Sequence, residues 1–197
     1  MALTFRTFIG DAISPYLPEL ARLRIAVFRD WPYLYDGDAD YEERYLAAYR
    51  DNPRAIVVGA FAGQRMVGAA TGMPMEDHAD DFARPLADAG IAEADVFYCA
   101  ESVLLPEFRG QGAGHRFFDL REDHARALGR SHSAFCGVLR ADDHPARPPE
   151  YRPLDPLWRA RGYDRLDGAI ARFSWKDVGE AHETAKSLQF WIKDLTA

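Results

Sequence analysis

The chain has no apolar run of the roughly 18 residues that a membrane-spanning helix needs. Its opening, MALTFRTFIGDAI, lacks both the basic segment and the apolar segment of a secretory signal. No membrane partner is expected, and the protein reads as cytoplasmic. Cysteine is scarce: Cys99 and Cys136 each sit in an apolar run, VFYCAESVLL and AFCGVL, where reduced buried thiols are the ordinary outcome. A disulfide framework is therefore not supported. Positive charge is in the minority, with 24 Lys and Arg against 31 Asp and Glu, a formal net charge of −7. No nucleic-acid partner is expected from that balance, which mostly serves solubility and leaves room for a cationic ligand. His115 and His124 have no third ligand at a recognisable spacing, so no metal is expected.

What is present suffices for one core. With 197 residues, 48% hydrophobic and 13% aromatic, a single domain over 1–197 is the simplest organisation. Residues 2 to 9 alternate like a half-buried strand. Ser14 as N-cap with Pro15 at the first helical position, followed by Leu17, Leu20, Leu23, Ala26 and Val27, predicts a first helix ending near Asp30. The aromatic and acidic stretch Trp31 to Asp38 reads as a loop, and Tyr41 to Arg50 as a second helix. AIVVGAF and RMVGAATGM flank Ala62-Gly63-Gln64 and predict a hairpin, after which residues 74 to 95 form a polar excursion. DVFYCAESVLL reads as a central strand covered on both faces, with Glu101 its sole charge after Asp95.

That strand runs into PEFRGQGAGHRFF, residues 106 to 118, with three glycines in five positions. Glycine inside regular structure costs roughly 0.5 to 1 kcal/mol relative to alanine, so the cluster needs a backbone reason. The helical spacing of Ala113, Phe117, Leu120, His124, Ala127 and Leu128, with Gly129 as a stop, follows directly. HSAFCGVL then completes a parallel crossover. A proline-rich loop over 141–153, a short helix from Asp155 to Arg161 and a closing hairpin of GAIARFSW and SLQFWIK end the chain.

A strand, bare glycines and a helix together aim unpaired N–H groups and the positive end of the helix dipole at a phosphate or pyrophosphate. The Gly-Lys-Ser/Thr ending of a phosphate loop is missing. The third glycine of a dinucleotide fingerprint falls on Phe117. The stretch instead resembles motif A of the GNAT superfamily of N-acetyltransferases, Q/R-x-x-G-x-G/A, met by Arg109, Gly112 and Gly114 after Leu105 to Phe108. The order of elements over residues 2 to 193 is similar to that family's, and Arg161-Gly162-Tyr163 looks like its Gly-aromatic after the fourth helix.

The resemblance implies a GNAT-like α/β fold: a mixed, mostly antiparallel sheet of about seven strands, with strands four and five parallel and helices on both faces. It implies acetyl-CoA as cosubstrate, its pyrophosphate held by Arg109, Gly110, Gln111, Gly112, Ala113 and Gly114. The pantetheine arm would lie along Val103, Leu104 and Leu105, with the Val103 N–H near the acetyl carbonyl. The implied reaction is direct acetyl transfer in a ternary complex to a primary amine, small-molecule or peptidic. Such an amine is about 99.9% protonated at pH 7 and needs a base, for which Glu101 is the candidate beside its reading as a structural ion-pair partner. The family's acid is a tyrosine four residues before the Gly-aromatic. Trp158 stands there, leaving Tyr151, Cys136 or solvent. Tyr33, Tyr35, Asp36 and Asp38, in the loop that overhangs the site in that family, are candidates to bind the acceptor. The alternative is a catalytically inactive CoA-binding sensor or interaction module, with the terminal hairpin able to dimerise, so that both monomer and homodimer stay open.

Overall fold

A computed structural model of the chain describes residues 2–78 and 82–196. Seven strands form one sheet: β1 (Thr4–Phe8), β2 (Ile56–Ala62), β3 (Arg65–Pro74), β4 (Val96–Leu104), β5 (His132–Val138), β6 (Asp164–Trp175) and β7 (Thr184–Asp194). Their order is β1-β2-β3-β4-β5-β7-β6. Every pair is antiparallel except β4 with β5. This is the mixed sheet with one parallel pair that the element order predicts.

Among the described residues there are five α-helices: α1 (Leu17–Phe28), α2 (Ala39–Asp51), α3 (Arg84–Asp88), α4 (Ala113–Ala127) and α5 (Asp155–Ala160). Successive residues of a strand point to opposite faces, and β2 shows the consequence. Val57 and Phe61 pack with Leu20, Leu23 and Leu46 of α1 and α2, while Ile56, Val58 and Ala60 pack with Phe117 and Ala125 of α4. With helices on both faces the central strands need no polar side, which explains their continuous apolar runs.

The first helix starts later than its sequence predicts. Gly10–Tyr16 forms a 3₁₀ turn, α1 opens at Leu17 with Pro18 in its first turn, and no side chain caps it. A helix capped by Ser14 would put Pro18 where an N–H must bond the cap carbonyl, and proline has none. Ser14 instead offers its carbonyl to the Leu17 N–H at the close of the 3₁₀ turn. The polar excursion is partly regular, with a 3₁₀ turn at Met75–Asp77 and the short α3; its residues 79–81 lie outside the described residues.

Candidate active site

The site begins with a misfit between β4 and its neighbours. Thr71 of β3 pairs with Glu101, but Met73 pairs with Tyr98, so Gly72 alone faces Cys99 and Ala100. Such a bulge bends its strand and raises the local twist. β4 pairs with β5 only at Val96, Phe97 and Tyr98, and from the bulge onward the two strands part. A cleft of about 710 Å³ opens between them, running past Ala100, Ser102 and Leu104 to the glycine turn and bounded by β5 and α5.

Leu105 N–H donates to Val67 O at 3.0 Å. With a side-chain and backbone period of two, the Val103 amide also turns toward β3, where Val103 faces Ala69. The free edge of β4 is therefore carried by Ser102 and Leu104, one residue out of step with Val103 and Leu105. Leu104 lines the cleft, whereas Val103 and Leu105 are buried on the α1 face.

At the head of the cleft the chain turns through Gly110 and Gly112, with φ of 77° and 78°, a region that side chains strain to enter. Gly112 is the N-cap of α4 and has no side-chain cap. Arg109 to Gly112 are exposed. Among the described residues no acceptor takes the amide protons of Gly110 to His115. Arg109, Gly110, Gly112, Ala113 and Gly114 line the cleft, and the Arg109 Nε reaches back to Leu104 O at 3.3 Å. Gln111, also exposed, does not line it.

Beneath β4 lies Arg121, which the sequence reading passed over. It is 1% exposed, yet no carboxylate pairs with it among the described residues. Its guanidinium donates to Thr71 O at 3.1 Å, Glu101 O at 3.0 Å, Ser102 Oγ at 2.9 Å and Phe117 O at 3.1 Å. An arginine one turn after Phe117 on the apolar face of a helical pattern was the signal that could have revealed it.

A second, smaller chamber of about 90 Å³ lies on the other side of β4, walled by eight Phe, Tyr and Trp side chains from α1, the 31–38 loop, α2, β4 and β6, together with Phe82. The two spaces share Phe28, Tyr33, Ala100, Glu101 and Cys136. Glu101, 8% exposed, contacts the Arg24 guanidinium and accepts from the Tyr45 hydroxyl at 3.1 Å. Arg24 also contacts Glu42, which is fully buried. One guanidinium thus faces two buried carboxylates. Burial pushes the Tyr33, Tyr35 and Tyr45 phenols up, so they stay protonated, and lowers His78 below its ordinary value, so its imidazole is neutral at pH 7.

The 31–38 loop reaches the chamber because Arg140 and the end of β6 hold it there. Arg140 donates to Pro32 O at 2.8 Å and Tyr33 O at 2.6 Å, and pairs with Asp177 at 2.6 and 3.0 Å. Trp175 Nε1 donates to Tyr33 O at 3.0 Å, and the Val178 and Asp36 amides add bonds of 2.7 and 2.8 Å across the same seam. Tyr33 and Tyr35 line the chamber; Asp36 and Asp38 do not. Lys176 and Arg29 hold the Asp36 carboxyl below its usual range, and Asp38 caps α2 by accepting from Tyr41 N at 2.8 Å. Both acids are committed to the loop's own architecture.

Tyr151 lines the cleft but not the chamber, its ring edge-on to Trp31 at 5.8 Å. Burial and then the Asp155 charge push its phenol up. Trp158 forms the cleft wall, against Phe135 at 4.9 Å and Trp191 at 5.1 Å. A Cβ on Gly137 would stand 3.1 Å from the Trp158 ring, so glycine there lets the indole lie on β5. Burial keeps Cys136 a thiol.

A family model for acetyltransferases of the GNAT family matches residues 20–148. The chain belongs to the GNAT acetyltransferase family. The matched span runs from α1 through β5 and contains β4, Glu101 and the glycine turn. Solved acetyltransferase structures share the fold over the remainder. The Salmonella typhimurium protein yncA, with its cofactor acetyl-CoA, has a TM-score of 0.60 at 15% identity, over 99% of this chain and 95% of its own. Ribosomal-protein-alanine N-acetyltransferase from Brucella melitensis has a TM-score of 0.61 at 14% identity, over 97% and 99%. AAC(6′)-Iy, in complex with the bisubstrate analogue CoA-S-monomethyl-acetylneamine, has a TM-score of 0.56 at 14% identity, over 82% and 90%. At such identities the likeness is one of fold. No curated protein matches the sequence.

Proposed function

We propose that this GNAT protein transfers an acetyl group from acetyl-CoA directly to a primary amine, with both substrates bound together. The observation that carries the reading is the junction of the cleft and the aromatic chamber at Glu101, with Tyr33 beside it. Acetyl-CoA supplies the activated acetyl thioester. The unpaired amides of Gly110 to His115, the α4 dipole and Arg109 suit its pyrophosphate. The open edge at Ser102 and Leu104 suits an extended amide-bearing arm, which adds to the sheet as a strand would. Arg121 places fixed positive charge under that edge, where negative charge develops during acyl transfer.

Glu101 takes the proton of the incoming ammonium, directly or through one water. Its pairing with Arg24 does not remove that role, because Arg24 shares its single charge with Glu42. For the acid that protonates the departing thiolate, Tyr33 has the better position than Tyr151, since its ring borders both spaces and its hydroxyl makes no hydrogen bond among the described residues. Thiol release from acetyl-CoA in the presence of a primary amine, scaling with amine concentration, is the expected result. Cofactor binding without release for any amine would turn the reading toward a CoA-binding sensor.

A further inference from the structure

We infer that the acceptor is an apolar primary monoamine, lacking both a carboxylate and a second ammonium group. The inference rests on the transferase reading for its chemistry and on the chamber alone for its selectivity. Apart from Arg24, Glu101, His78, the Cys136 thiol and the tyrosine hydroxyls, the chamber wall is mostly carbon: Phe28, Phe82, Phe173, Trp175 and Leu188 among others. Charge there is set by three buried groups. Arg24 faces Glu42 and Glu101, which leaves one negative charge in excess. Glu42 Oε1, moreover, is buried with no hydrogen-bond donor among the described residues. One ammonium balances this cluster; a second would enter an apolar cavity without a counterion, at the cost of its desolvation.

Carboxylates are rejected by the same inventory. Arg24 is already shared between two carboxylates, and its guanidinium lies over the Tyr45 ring at 4.3 Å and the Phe28 ring at 5.2 Å, closed off from a further anion. His78 is neutral. Asp36 and Asp38, the acids of the overhanging loop, are tied to Lys176, Arg29 and the start of α2, so neither is free for the far amine of a polyamine. The aromatic faces add cation–π attraction for the ammonium end.

The test sets isoamylamine against leucine, which is the same amine bearing a carboxylate, against spermidine, and against a tripeptide beginning with leucine. Each is titrated into wild-type protein saturated with CoA, by calorimetry, and each is offered with acetyl-CoA in a thiol-release assay. Isoamylamine should bind at least about tenfold more tightly than the other three. Tighter binding of leucine, spermidine or the tripeptide, or no binding of isoamylamine, overturns the inference. If isoamylamine binds selectively yet no amine releases thiol, the selectivity stands and the transferase reading falls, so the two failures are separable.

Discussion

Arg24 and Glu101 pose the residue-scale question of how one carboxylate serves both the core and the chemistry. Replacing Glu101 by Gln leaves Arg24 and Glu42 as a balanced pair, so the fold should persist. The prediction for Glu101→Gln is a melting temperature near wild type, unchanged acetyl-CoA affinity and a kcat lower by about 10²-fold or more. An undiminished kcat would remove Glu101 from the reaction. Arg24→Met differs in kind, because it leaves two buried carboxylates unpaired and should cost about 3 to 5 kcal/mol in chemical denaturation. For the acid, Tyr33→Phe is expected to lower kcat more than Tyr151→Phe, with KM for acetyl-CoA little changed; the reverse order would return the role to Tyr151. Glu101 was legible as the one charge inside an apolar strand. Its partners were not, because Arg24 and Tyr45 are far away in sequence and meet it only when α1 and α2 pack on the sheet. Asp36 and Asp38 read as acids free for a cationic ligand because Lys176, which pairs with Asp36, is far away in sequence, and because the second helix reads only from Tyr41, which hides Asp38 as its cap.

At the scale of elements, the bulge in β4 and the arginine that fills it act together. Arg121 joins α4 to the carbonyls of Thr71 and Glu101 at the point where the register slips. Truncating it leaves buried carbonyls without a donor. Arg121→Met should lose about 2 to 4 kcal/mol of stability and weaken acetyl-CoA binding with it, as urea denaturation and titration would show. The loop clamp has a pH signature. Burial alone would raise Asp177, but the hydrogen bonds and charge of Arg140 hold its carboxyl below the ordinary value. Its folded pKa is depressed, so its contribution is complete above about pH 4 and is lost as pH falls through the folded value. Asp177→Asn should therefore lower stability at neutral pH and narrow its gap to wild type in acid, a trend that thermal melts between pH 7 and 2.5 can follow. Element order, the Gly63-Gln64 hairpin and the parallel β4–β5 pair were readable from periodicity and turn residues. The bulge was not, since a continuous apolar run carries no register.

Across the whole molecule one sheet serves two spaces: a cleft where β4 and β5 part, and an aromatic chamber bordered by the 31–38 loop. The glycine turn was the most legible part of the site, because three glycines after an apolar run have a local backbone cause. The chamber was the least legible, since its rings come from segments between residues 28 and 175. The account depends most on the exposed amides of the turn holding a thioester carrier. Isothermal titration of acetyl-CoA into the wild-type protein and into Gly112→Val tests this directly. Valine at a φ of 78° strains the turn, while a Cβ there meets nothing within 4 Å, so the fold should survive. Micromolar binding to wild type, with at least about a tenfold loss in Gly112→Val at an unchanged circular dichroism spectrum, is the predicted result. No binding to wild type, or equal binding to both proteins, would contradict the account.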